Sequence, residues 1–383
     1  MKIVWFSIPA HGHTNPTLNL VKELTGAGHE VTYFSFEQFR EKIEKAGAEF
    51  VPCDSYDFEM EDKGNGERIG KDMAFATELL VKSTLALDDM VAEKVAQIKP
   101  DLIVSDSIAY WGKLTAMKYN IPYVSSTTTF AFNQYSSKYM KQGIGGLFKM
   151  LFSMPKINKM IKKLQKKGYP VKGILDIVQN DNETNTIVYT SKEFQPCADT
   201  FSDKYCFIGP SIRSLESRIE KTAEKTIYIS MGTVMKNKEI YRNCIEAYRD
   251  TDYQVIISLG ENENEYIDLP ENIKVYTSVD QMAVLSIADV FLTHCGMNSV
   301  SEALYYEVPL ILFPQTPEQG AVAIRAEELG AGIKLLTTKK EDILAATERI
   351  LTDNQYKLAA KKISSGFKQC GGAKAAREFL ERL

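Results

Sequence analysis

Several common devices are missing from this 383-residue chain. Its six cysteines, Cys53, Cys197, Cys206, Cys244, Cys295 and Cys370, form no C-x-x-C pair and no ladder, which argues against a disulfide framework or a structural zinc site. Neither sign of charge dominates: 46 Lys and Arg against 50 Asp and Glu leave a formal net charge of −4, which offers nucleic acid no general attraction. No apolar run reaches the length needed to span a bilayer. The opening run Lys2 to Pro9 is too short for a signal-peptide core and reads as a first strand. The expectation is a cytoplasmic chain with reduced thiols. A G-x-G-x-x-G fingerprint after that strand is also absent, which excludes the usual dinucleotide loop. Histidine is scarce, with four in all, and two of these, His11 and His13, share the loop after the first strand.

What is present alternates. Strand Lys2 to Ile8, helix Pro16 to Ala27, strand Glu30 to Ser35, helix Gln38 to Lys45 and strand Ala48 to Val51 follow the βαβ pattern of an open parallel sheet. Asn15 is placed to cap the first helix, with Pro16 at its first position. Strands Asp101 to Ser105, Ile121 to Ser125, Thr186 to Thr190 and Tyr205 to Ile208 continue the first half. Residues 209–225, with Pro210, several Ser and mixed charge, read as a linker. Strands resume at Thr226 to Ser230, Gln254 to Leu259, Ile273 to Tyr276, Asp289 to Leu292, Pro309 to Phe313 and Gly332 to Leu335. The domains expected are 1–208, 226–365 and a last helical segment, 366–383, that packs back on the first. The segment Phe130 to Gly173 breaks the rhythm with Met, Phe, Tyr and Lys. It reads either as the lining of an apolar cleft or as amphipathic helices with a solvated lysine face. A membrane-surface patch on Lys162, Lys163, Lys166 and Lys167 is the least favoured of three readings.

The densest signal is Thr293-His294-Cys295-Gly296-Met297-Asn298-Ser299-Val300-Ser301-Glu302. A buried strand ends here, Gly296 permits a sharp turn, and a helix follows whose unpaired N–H groups make an anion site. His294 is a donor there, Asn298 and Ser299 are polar groups of the first turn, and Glu302 lies one turn on, able to accept from a hydroxylated ligand part. Taken alone, this is an ordinary βα junction with a satisfied histidine. The same polar logic recurs after the next strand, at Pro314-Gln315-Thr316-Pro317-Glu318-Gln319, and two neighbouring polar strand ends are the usual ligand crevice of an open α/β sheet.

Residues Val275 to Gly332 resemble the donor-binding signature of the family 1 nucleotide-sugar glycosyltransferases, most closely the bacterial macrolide and flavonoid glucosyltransferase branch. The resemblance implies the GT-B architecture, an α/β fold with two doubly wound, Rossmann-like domains facing a cleft. It implies that His294 binds diphosphate, Asn298 and Ser299 phosphate, Glu302 ribose, and Glu318 with Gln319 the sugar. Ser230, Gly232 and Thr233, in Ser230-Met231-Gly232-Thr233-Val234, resemble the family's second phosphate-facing loop. Ser278 stands where the family often has a base-stacking Trp, and Asp280 replaces a common Pro. Base recognition is therefore expected from the backbone near Val279 and from Gln281, with modest choice between uridine and thymidine donors.

Sugar transfer to a hydroxyl needs a base, and histidine suits that role near neutral pH. The loop Pro9-Ala10-His11-Gly12-His13-Thr14-Asn15-Pro16 offers two histidines, and the family pattern assigns the base to His13. Asp106, in Val104-Ser105-Asp106-Ser107, is assigned as its orienting partner; the plainer reading makes it a cap for the helix beginning near Tyr110. His29 reads as structural. The expectation is an inverting, metal-independent glucosyltransferase without a resident cofactor, using UDP-glucose or a related nucleotide sugar on a small hydrophobic acceptor such as a macrolide or a phenolic. It is expected to act as a monomer or weak dimer, with no nucleic-acid partner and with membrane contact disfavoured. A non-catalytic sugar-nucleotide-binding subunit and a hydrolase or epimerase of the same architecture are the alternatives.

Overall fold

Short apolar, β-branched runs make the strands, and most are buried on both faces, as parallel sheets covered by helices require. The computed structural model describes residues 1–54, 73–139, 144–178, 180–232, 238–260 and 269–383. The chain divides into two compact units. The first comprises Met1–Lys138, Gln142–Ser211 and Cys370–Leu383, and the second Tyr139–Lys141 and Ile212–Gln369.

In the first unit the strands are β1 (Lys2–Phe6), β2 (Glu30–Ser35), β3 (Glu49–Pro52), β4 (Leu102–Asp106), β5 (Tyr123–Thr127), β6 (Thr186–Val188) and β7 (Tyr205–Phe207). They form one parallel sheet in the order β3-β2-β1-β4-β5-β6-β7. The order reverses between β1 and β4. The second unit carries β8 (Thr226–Ser230), β9 (Gln254–Ser258), β10 (Ile273–Tyr276), β11 (Val290–Thr293), β12 (Leu310–Leu312) and β13 (Gly332–Lys334) in the order β10-β9-β8-β11-β12-β13, again all parallel. Here the reversal lies between β8 and β11. Such switch points leave a crevice at the strands' carboxyl ends, because the flanking connections run to opposite faces.

The first helix departs from the sequence reading. Helical structure starts at His11–Thr14, passes through a 3₁₀ turn at Asn15–Thr17 and continues as Leu18–Gly26. Asn15 therefore does not cap. The extended Ala10 opens the helix instead, its carbonyl accepting from the His13 and Thr14 N–H groups at 3.0 Å each.

The terminal helix Gly372–Leu380 buries Ala376 and Leu380 in the first unit's core. Arg377 donates from Nε to Glu23 Oε1 at 3.0 Å, and His29 bridges the Met1 amino group and Glu381 at 3.1 and 3.0 Å. Residues 216–225 are irregular but well tied to the second unit. Asp280 accepts from the Glu216 and Ser217 N–H groups, Gln254 from Thr222 N–H, and Asp289 from Thr226 N–H.

The insert Phe130 to Gly173 also resolves, among its described side chains, toward packing. Phe130 is buried against Phe132 and Phe194. The helix Ile144–Lys166 buries Ile157, Met160, Ile161 and Leu164 against Val81, Leu114 and Tyr169 in a satellite core. The apolar side chains are spaced three or four apart, so they share one face.

Candidate active site at two sheet switch points

At the β1/β4 reversal of the first unit, the strand register places Phe6 beside Ser105, so the residues just beyond each strand end are neighbours. His13 sits on the single helical turn after β1, and Asp106 closes β4. His13 Nδ1 lies 2.7 Å from Asp106 Oδ2, with the carboxylate side chain wholly buried and the imidazole 15% exposed. The other carboxylate oxygen accepts from the Ile108 N–H at 2.9 Å. Asp106 thus holds His13 with Oδ2 and the turn after β4 with Oδ1, but it is not the helix cap: the helix Tyr110–Tyr119 starts at Ala109 with no side-chain cap bond. A carboxylate bonded to Nδ1 selects the tautomer that presents Nε2 as the basic nitrogen, and it stabilises the imidazolium once formed. Thr128, just past β5, brings its Oγ1 to 3.3 Å of Nδ1. Sequence reading missed Thr128 because its position follows from β5 pairing with β4. His11 is separated from His13: it is exposed and meets the Phe39 ring edge-on at 5.0 Å.

At the β8/β11 reversal of the second unit, Thr293 pairs with Ser230 on one side and Leu312 on the other. The loops after β8, β11 and β12 are therefore adjacent. The turn after β11 is not made as the sequence reading has it. Cys295, not Gly296, takes the left-handed conformation, at φ 68°, and its N–H donates to Thr293 Oγ1 at 3.2 Å. Gly296 is extended, at φ −60° and ψ 136°. Glycine is needed there for space: a Cβ would lie 2.7 Å from His294 Nε2. A Cβ on Gly232 would lie 2.7 Å from His294 Cε1, so the ring sits between two glycines.

That confinement sets the chemistry of His294. Burial pushes its pKa down from 6.5 to about 4, opposed in part by the Ser230 backbone, so it meets a ligand as a neutral imidazole. Its buried Nδ1 has no hydrogen-bond partner among the described residues, which leaves a polar atom for a ligand to satisfy. Because the folded pKa is the lower one, the contribution to stability is fully present above 6.5 and is lost as pH falls toward about 4. The loss is on the order of 2 to 3 kcal/mol. Denaturant titration of the wild type and His294→Gln checks this: the difference between them should shrink steadily over that window, and a constant difference would contradict it.

The helix Met297–Tyr305 begins at Gly296 without a side-chain cap, so its first-turn amides face the loop. Asn298 and Ser299 are half-buried in that turn, and Glu302, 8% exposed, follows on the same helix. Gln281 opens the short helix Gln281–Leu285 and joins these groups. Its amide donates to Glu302 Oε2 and, at 3.4 Å, to Ser299 Oγ, while its Oε1 accepts from Tyr228 OH at 3.1 Å. Burial raises the Glu302 pKa; the Gln281 bond and the charge of Arg213 counter it. Tyr228 and Arg213 were not found by sequence. Tyr228 reads as one more core residue of a buried strand and stacks on Phe291 with ring centroids 4.6 Å apart, while Arg213 lies in a segment read as linker.

Two further residues, Gln319 and Asp280, differ from their simplest reading. Gln319 completes a capping box: its side-chain oxygen accepts from the Gln315 and Thr316 N–H groups at 2.8 and 3.2 Å, so its amide NH₂ is the part left to reach a ligand. Glu318 is half-buried in the first turn of the same helix, Pro317–Glu328. Asp280 caps Gln281–Leu285 with one oxygen and holds residues 216 and 217 with the other, a role that a proline could not fill. Ser278 is exposed and Val279 half-buried on the loop before that helix. Ser230 is buried at the end of β8, its Oγ accepting from the Gly232 N–H at 3.3 Å. Thr233 lies outside the described residues.

Comparison with known proteins agrees with this arrangement. Residues 242–368 match the family described as Erythromycin biosynthesis protein CIII-like, C-terminal domain. The chain is 32% identical over 400 residues to NDP-glycosyltransferase YjiC of Bacillus subtilis, covering 99% of this chain and 96% of that protein. It is 26% identical over 396 residues to the oleandomycin glycosyltransferase of Streptomyces antibioticus, covering 99% and 90%. Among solved structures, a calicheamicin glycosyltransferase superposes with a TM-score of 0.82 at 25% identity, covering 100% of this chain and 97% of that one. With two doubly wound parallel domains, a nucleotide-sugar donor site and a full-length relative above 30% identity, the chain belongs to the family 1 glycosyltransferases of GT-B architecture.

Proposed function

We propose that this glycosyltransferase is an inverting enzyme that moves glucose from UDP-glucose to a hydroxyl of a small hydrophobic acceptor of the macrolide or phenolic type. The observation that carries the reading is the 2.7 Å bond between His13 Nδ1 and the buried Asp106 carboxylate, because a sugar-nucleotide-binding subunit has no use for an oriented base. In this reading Nε2 of His13 takes the acceptor proton as the acceptor oxygen bonds to the anomeric carbon. The bond from that carbon to the diphosphate breaks with inversion. The leaving diphosphate is stabilised by amides at the start of Met297–Tyr305 and by His294, without a metal or resident cofactor. The antibiotic glycosyltransferases among its relatives support an acceptor of that class.

Glu302 accepts from the ribose hydroxyls, and Gln281 holds it for that contact. The 2′-hydroxyl then discriminates UDP- from dTDP-sugars, since its loss leaves a buried carboxylate short of a partner at about 1 to 3 kcal/mol. Calorimetry with UDP should show Glu302→Ala binding at least about tenfold more weakly. Comparison of kcat/KM for UDP- and dTDP-glucose should show the wild-type preference diminished in that variant. An undiminished preference places discrimination elsewhere, and unchanged UDP affinity removes the donor assignment.

A further inference from the structure

Outside the two switch points, the helix Ile144–Lys166 presents the most one-sided charge on the described surface. It contains six lysines, Lys149, Lys156, Lys159, Lys162, Lys163 and Lys166, and no carboxylate, in a chain whose net charge is −4. Its buried stripe is committed to the satellite core with Val81 and Leu114, so the helix is held with the opposite face outward. On that face lie Phe152, Lys156, Lys159, Lys162, Lys163 and Lys166, all exposed. Positions 152, 156, 159, 163 and 166 recur every three or four residues, which aligns them along one side. Phe152 is 84% exposed.

A solvated lysine face is the ordinary reading of such a run, but several other helices of this protein pair their charges along the helix. Glu41 pairs with Lys45 at 2.7 Å, Arg40 with Glu44 at 3.3 Å and Lys374 with Glu378 at 3.9 Å, all one helical turn apart. On Ile144–Lys166 the sequence supplies no such partner. Among the described side chains of this helix, Lys156 alone is neutralised from outside, by Glu78 at 2.6 Å. Lys159, Lys162, Lys163 and Lys166 make no ion pair among the described residues. The carboxylates beside the helix are already engaged, Glu78 with Lys156 and Asp88 and Asp89 with Lys167 just past its end, and more distant charges are screened beyond about 8 to 10 Å at physiological salt.

We propose that this face docks on an anionic lipid bilayer, the four lysines against lipid phosphates and Phe152 entering the headgroup region. The exposed aromatic selects a bilayer over a soluble polyanion: it gains by leaving water only where there is an apolar phase beside the phosphates. No helix among the described residues is long and apolar enough to cross a membrane, so the contact is peripheral. It would place the enzyme at the surface where hydrophobic acceptors concentrate. The proposal is independent of the base and donor assignments.

Sedimentation of the full chain with vesicles tests it. The protein should pellet with mixed phosphatidylglycerol and phosphatidylcholine vesicles at low salt, remain free with phosphatidylcholine alone, and be released by high salt. Combining Lys159→Glu, Lys162→Glu, Lys163→Glu and Lys166→Glu should weaken binding at least tenfold without shifting the thermal unfolding midpoint. Phe152→Ser, which alters no buried contact, should weaken it severalfold with every lysine intact. Failure of the wild type to bind anionic vesicles overturns the proposal. Binding that survives in the charge-reversed variant does so equally, and so does retention on heparin without vesicle binding.

Discussion

Replacing His13 by alanine should lower transfer by about 10²- to 10⁴-fold, the range for loss of a positioned general base, while UDP affinity stays near the wild-type value. The two readouts separate because His13 belongs to the first unit, whereas the donor groups His294, Glu302 and Gln281 belong to the second. Single-turnover kinetics with saturating donor reads the chemical step, and calorimetry reads binding. A variant that turns over at the wild-type rate would show that another group takes the proton. A variant that loses donor affinity as well would indicate that His13 acts on the donor rather than on the acceptor. His11→Ala is the control: His11 is exposed against Phe39, and its loss should leave turnover within a few-fold.

Asp106→Asn should be almost as slow, by about 10² to 10⁴, and yet stay folded. The substitution keeps the side-chain oxygen that accepts from the Ile108 N–H, so the turn after β4 survives. It removes the charge facing His13 and places there an amide whose NH₂ prefers an unprotonated Nδ1. The imidazole is then held in the wrong tautomer, with its proton on Nε2, where the acceptor's proton must go. Asp106→Ala removes both functions and should in addition lower the unfolding midpoint. Equal activity of wild type and Asp106→Asn, with normal stability, would reduce Asp106 to a residue that only holds the turn after β4.

Much of this architecture was legible from local pattern. Buried strands of three to six residues, separated by amphipathic helices, can do little but form parallel sheets covered on both faces, and the strands observed fall within or close to the expected stretches. The core of the donor signature was legible for a related reason, since His294 to Gln319 lie along consecutive elements, β11, a helix, β12 and a helix. Local rules failed where two causes compete. Gly296 looked like the turn residue because glycine tolerates positive φ, but its site instead excludes a Cβ beside His294, and Cys295 takes the unusual backbone conformation. Asn15 looked like a cap, but the extended backbone at Ala10 starts the helix earlier. Gln319 reads as a ligand group, and its carbonyl oxygen in addition completes a capping box, a second function written in the same letters.

The donor motif, the two histidines after the first strand and the alternation of strand and helix are properties of consecutive residues, and the sequence carries them without help. Strand order is not such a property. His13 and Asp106 are separated by 93 positions and meet because β4, not β3, lies on the other side of β1. Tyr228 reaches Gln281, and Thr128 reaches His13, only through the same lateral pairing. Which residues lie one after another is covalent; which strand ends stand side by side depends on how whole sheets bury their two faces, and that balance exists only once the sheets have formed.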